Sequence, residues 1–181
     1  MKNMMKKTFA MLLVVAMILT CSALGETKTY TNPDNDVTFM YDDAVMEISL
    51  EDETDDELMV VLNGKDAAWG NAYVKIHLGD LDEDNGDTFP TLADFAEMEA
   101  NLNTTVTQGD WNGFKNVFSY TIDDGDALEQ VFIAPVYDDD NEVEDILTIT
   151  IGIDKIANEE AGMNRDDAIS AVLDSLKILD D

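Results

Sequence analysis

The sequence predicts an α+β domain, a largely antiparallel β-sheet flanked by two main helices. Three observations carry this. Residues Phe114 to Ile153 read as three strands separated by acidic turns around Asp123–Asp126 and Asp138–Asp145, and in the first and third of them apolar residues alternate with polar ones. A period of two rich in β-branched and aromatic residues marks half-buried strands, and turns this short favour antiparallel neighbours because parallel strands need a long crossover. Two other stretches, Thr91 to Leu102 and Asn164 to Leu176, place their apolar residues at helical spacing instead.

The chain opens with the basic MKNMMKK, the apolar run TFAMLLVVAMILT and then CSALG. That order is a secretory signal peptide, and the run is too short for an ordinary spanning helix. Ala23 and Gly25 stand at the −3 and −1 positions of a cut before Glu26. Residues 1–25 are therefore read as leader and residues 26–181 as one domain. Cys21, the only cysteine, supports an alternative, since Ile18-Leu19-Thr20-Cys21 faintly resembles the signal of bacterial lipoproteins, which are cut before a lipid-bearing cysteine. Under both readings the mature domain has no disulfide, so its core must hold it together.

Thr27 to Thr31 reads as a first strand, ended by the turn Asn32-Pro33-Asp34-Asn35. Val37 to Tyr41 and Val45 to Leu50 follow as strands, with the charged run Glu51 to Glu57 as a solvated loop. Leu58 to Leu62 is a continuous apolar strand closed by Asn63-Gly64, and a further strand runs through Ile76 and Leu78. Beyond the polar loop Asp80 to Phe89, Thr91 as N-cap and Asp94 form a near capping box. Leu92, Phe95, Met98 and Leu102 give that helix its apolar stripe. Val106 to Trp111 returns as a strand, and Asn112-Gly113 is a strong hairpin turn. In the strand after it, Phe114, Phe118, Tyr120 and Ile122 share one face, with Lys115, Ser119 and Thr121 on the other. A loop over residues 154–160 leads to a helix capped by Asn164, with Ile169, Val172, Leu173 and Leu176 as its stripe.

This order resembles the PsbP-like group, which includes the extrinsic photosystem subunit PsbP and many small bacterial secreted proteins and lipoproteins. The resemblance rests on a leader, a short Tyr-containing strand, the VTFMY strand, a helix opened by Thr91, Leu92 and Phe95, a Gly-containing hairpin and meander, and a terminal helix with Val172, Leu173, Ser175 and Leu176. It covers nearly the whole mature chain. It implies an α/β/α sandwich around an antiparallel sheet, with a binding or assembly role and no catalytic motif.

Charge narrows the partners. Forty acidic against ten basic residues give a formal net charge of −30, and loss of the leader removes Lys2, Lys6 and Lys7. A nucleic-acid partner requires a basic patch, which ten cations in such an excess of acid do not suggest, and anionic membrane surfaces are disfavoured for the same reason. Self-repulsion keeps such a chain soluble and monomeric.

Candidate sites are few. His77 is the only histidine and has no thiol or second imidazole for zinc. Ser49, Ser119, Ser170 and Ser175 all lack a nucleophile-elbow context, so no catalytic residue is assigned. Asp80, Asp82, Asp84 and Asp87 alternate oxygen ligands around Gly86, which is what Ca²⁺ wants, although the EF-hand positions for Gly and Glu are Asn85 and Thr91. Asp138-Asp139-Asp140-Asn141-Glu142 is a lesser cation candidate at a hairpin tip. Trp69, in an apparent loop, offers a stacking face for carbohydrate or peptide, while Trp111 suits packing at the sheet edge. The expected function is a secreted or cell-surface, non-enzymatic binding domain that takes a protein or small-molecule partner and needs no cofactor. A Ca²⁺-dependent extracellular module on Asp80–Asp87 is the alternative, and a carboxylate-based hydrolase ranks third. The expected location is extracellular, with anchoring to the outer face of the cytoplasmic membrane if Cys21 is lipidated.

Overall fold

A computed structural model describes residues 26–34, 36–54, 57–80, 91–100, 104–138, 140–155 and 157–179, with the side chains of Asp80 and of residues 158–164 outside the description. Its strands are β1 (Thr27–Thr31), β2 (Val37–Asp42), β3 (Met46–Glu53), β4 (Glu57–Gly64), β5 (Tyr73–Asp80), β6 (Thr107–Trp111), β7 (Phe114–Asp123), β8 (Ala127–Tyr137), β9 (Val143–Asp154) and β10 (Lys177–Ile178). Two α-helices, α1 (Leu92–Glu99) and α2 (Asn158–Ser175), and a 3₁₀ turn at Ala67–Trp69 complete it. The architecture is α+β, and every strand pair is antiparallel.

There are two sheets where the sequence predicts one. The larger runs β3-β4-β5-β9-β8-β7-β6, and a smaller one runs β1-β2-β10. One face of the large sheet presents Leu58, Val60, Leu62, Val74, Ile76, Leu147 and Ile149, and these pack with Val37 and Phe39 of β2 and with Ile169, Val172 and Leu176 of and beyond α2. A second apolar cluster joins Tyr120, Val131, Ile133 and Ile146 to Ala96 and Ala100 at α1. So the small sheet and α2 accompany the main core, and α1 covers the β7–β8 end of the opposite face.

The three-strand meander over Phe114–Ile153 is present as β7, β8 and β9. Its first strand departs from simple alternation. Phe114 packs against the main core, whereas Phe118 packs against the α1 cluster. Asn116 is the cause: it takes φ 56°, and between Gly109↔Val117 and Trp111↔Phe114 strand β7 advances one residue more than β6. That extra residue is a bulge, which shifts the pleat so that Phe114 changes face.

Other expectations are corrected in detail. The charged run after Leu50 is not loop throughout: Glu51, Asp52 and Glu53 pair with Val60, Met59 and Leu58. Gly64 lies within β4, opposite Met46, instead of turning the chain. In α1, Thr91 is the N-cap and its Oγ1 accepts from Asp94 N–H at 3.2 Å, as the capping box predicts. Leu92 and Phe95 of the predicted stripe pack with the buried Ala96 and Ala100 in the second cluster, but Met98 is 48% exposed; Leu102 lies outside the described residues. Helix α2 begins at Asn158, so Asn164 is an interior helical residue instead of a cap. Strand β10 is unforeseen.

Candidate functional site

A concavity of about 850 Å³ lies between the β1–β2 hairpin and α2. Strand β2 has β1 on one side along its length, but β10 covers its other side only at Val37 and Thr38. Past that point Ser175, the last residue of α2, takes over: its Oγ accepts from Met40 N–H at 2.8 Å. The same hydroxyl lies 2.6 Å from Ala171 O, to which it donates within the helix. A serine at a helix end can make this back-bond without disturbing a following turn. The groove lies along this seam between β2 and α2.

Its lining is mostly apolar. Met40 contributes an exposed thioether side chain, 45% accessible, and Tyr41 and Val45 line the strand side. The helix side offers Ala168 and Ala171, whose methyl groups leave the space open. Carboxylates stand on both walls, Asp42 from β2 and Asp167 and Asp174 from α2, with Lys177 beyond the helix end. Nearby, Lys28 is engaged by Asp43 at 2.6 Å; each holds the other charged, so the Lys28 ammonium titrates above and the Asp43 carboxyl below its ordinary range. Lys65 donates to the Asp43 carbonyl. The cations of this region are thus largely spoken for, and the groove keeps an acidic balance.

The residues singled out in the sequence fall elsewhere. Trp69 is corrected most clearly: it is 4% exposed and belongs to the main core. Asp66 caps the 3₁₀ turn that carries it, accepting from Ala68 N–H at 2.9 Å, and the indole lies against Gly64 so closely that a Cβ there would sit 2.2 Å from Trp69 Cε3. No stacking face remains for a ligand. Trp111 packs, as expected, with its ring stacked on Phe132 at 3.9 Å and 12°. Asp80 ends β5 opposite Asp145; Asp82, Asp84 and Asp87, like Cys21, lie outside the described residues. Asp138 folds its own hairpin, its Oδ1 accepting from Asp140 N–H and Glu142 N–H at 2.9 and 2.8 Å.

His77 faces away from the main core on β5, as its alternation with Ile76 and Leu78 requires. Its Nε2 lies 2.8 Å from Glu57 Oε1. Among the described residues no serine hydroxyl is hydrogen-bonded to it: Ser49 bonds Val61 O, Ser119 bonds Thr107, and Ser175 bonds Met40.

One constellation escaped the sequence reading. Asp34, Asp36 and Glu53 bring carboxylate oxygens within 4.8 Å of one another. Asn32, 2% exposed, organises them. Its Nδ2 donates to Asp36 at 3.0 Å and Glu53 at 2.9 Å, while its Oδ1 accepts from Val37 N–H at 2.8 Å. The turn residues were legible, but Glu53 reaches them only because β3 extends past Leu50.

Fold and groove together define a class: a β-rich α+β domain with an acidic-rimmed apolar groove between a strand and a helix. No family model, curated protein or solved structure matches the chain.

Proposed function

We propose that this protein is a non-enzymatic binding domain that works outside the cell, released or held at the surface, and that the β2–α2 groove is its binding site. The groove carries the reading: it is an open, largely apolar concavity with a few polar groups, the usual form of a ligand site. The Ser175 hydroxyl in its lining is committed to Met40 N–H and to the Ala171 carbonyl, which suits a structural role over a nucleophilic one. The leader-like residues 1–25 support an extracellular location, and the antiparallel sheet with α1 and α2 packed on it supports a PsbP-like sandwich as the underlying architecture.

The test is a thermal-shift screen with glycans, peptides and small amphiphiles, run beside a turnover assay on the same compounds. The expected result is a ligand that raises the melting temperature without being consumed. Turnover abolished by His77→Gln would overturn the reading. Fractionation with N-terminal mass spectrometry addresses location, expecting a chain that starts at Glu26 outside the cell; lipid on Cys21 marks the anchored form, and an intact cytoplasmic chain refutes export.

A further inference from the structure

We infer that the occupant of the β2–α2 groove is a basic, amphipathic peptide segment of a partner protein. The inference rests on the groove being the binding site. Its apolar strip, with Met40 on one side and Ala168 and Ala171 on the other, asks for apolar side chains. The carboxylates ask for cations in particular places. Asp167 and Asp174 are seven residues apart on α2, about two turns, so they stand along one stripe of the helix, and Asp42, whose Oδ1 accepts from Ala44 N–H, adds a carboxylate to the β2 side of the lining. An occupant must therefore offer positive charge towards both walls and an apolar face between them.

Three competing occupants fit less well. A second copy would bring one formal charge of −30 against another, a repulsion that the groove's single lysine, Lys177, does not offset. An anionic lipid or nucleic acid meets the same repulsion. A strand added to β2 by backbone pairing is blocked where Ser175 Oγ already occupies Met40 N–H. Recognition here is by side chains, with acidic walls steering a basic segment to an apolar floor.

A fluorescein-labelled Lys–Leu amphipathic peptide, with Gln–Leu and Glu–Leu counterparts, tests this by anisotropy on the full chain. The Lys–Leu peptide is expected to bind at least about tenfold more tightly than the Gln–Leu peptide at low salt, with the difference shrinking as salt rises. The variant Asp167→Asn/Asp174→Asn is expected to weaken it several-fold. The control Glu142→Gln/Glu144→Gln makes the same charge change near the β8–β9 turn, outside the groove, and is expected to leave binding nearly unchanged. Met40→Gln, a change at an exposed side chain that leaves the charge alone, is expected to weaken binding while the melting temperature holds. Equal losses from the groove and control variants mean diffuse attraction to an acidic surface and overturn the inference. So does a Met40→Gln variant that binds as well as the parent, or a peptide-induced dimer on gel filtration. A different compound class that raises the melting temperature, with no Lys–Leu binding, sinks this inference and leaves the binding-domain reading standing.

Discussion

Replacing Asn32 by Ala removes the organiser of the Asp34–Asp36–Glu53 cluster. Val37 is fully buried, and its N–H would lose the Asn32 Oδ1 that now accepts it at 2.8 Å; an orphaned buried donor costs about 1–3 kcal/mol. Two further hydrogen bonds, to Asp36 and Glu53, disappear. Bonds to charged groups contribute about 1.5–3 kcal/mol when buried, and roughly 1 kcal/mol each is reasonable for these part-exposed carboxylates. The loss should total about 3 kcal/mol or somewhat more, which for a chain of this size lowers the melting temperature by about 6–12 °C. Urea titration followed by circular dichroism measures it. Asn32→Asp is the companion: it keeps an acceptor for Val37 but points a carboxylate at two others, so its loss should be large at neutral pH and shrink as acidification protonates this crowded, buried carboxyl, whose titration burial and like charge raise above the ordinary carboxylate range. A loss below about 1 kcal/mol for Asn32→Ala, or an Asn32→Asp deficit indifferent to pH, would refute this account of the cluster.

Gly64→Ala places a methyl 2.2 Å from the Trp69 ring; overpacking of this kind should cost about 1–3 kcal/mol and shift the tryptophan emission, and an unperturbed variant contradicts the packing. Burial raises the titration of Tyr30 and Tyr73 above the ordinary phenol range, reinforced by hydrogen bonds to Glu51 and Glu129, and burial pushes Tyr120 up to about 12. A raised folded value means that the stabilisation is complete below pH 10 and is lost as pH rises towards 12, so alkaline melts should show a steep fall there and acid-side melts none from these groups. Sodium chloride should raise the melting temperature by screening the charge of −30, and CaCl₂ at matched ionic strength should add nothing further. A Ca²⁺-specific increase would favour the cation-dependent module over the groove reading.

Much of the fold was readable because local patterns and tertiary burial agree. In β9 the alternation of Leu147, Ile149 and Ile151 is the burial pattern itself, and the Thr91–Asp94 cap forms where its spacing placed it. Legibility failed where one residue depends on a distant one. Phe114 changes face because Asn116 adopts a left-handed backbone, which no periodicity records. Met98 looked like core by spacing, yet the small Ala96 and Ala100 let α1 approach the sheet on a different side. Trp69 looked available beside Gly70, but the missing side chain at Gly64 gives it a berth. The groove left no local trace, since Met40 and Asp174 mean nothing as sequence neighbours.

The hydrogen bond between Ser175 Oγ and Met40 N–H spans 135 positions of the chain. The two walls of the groove are thus supplied by stretches far apart in sequence, residues 27–45 and residues 167–177. A proteolytic fragment that lacks either stretch cannot display both walls. A ligand that touched both would therefore tell the intact domain from its fragments.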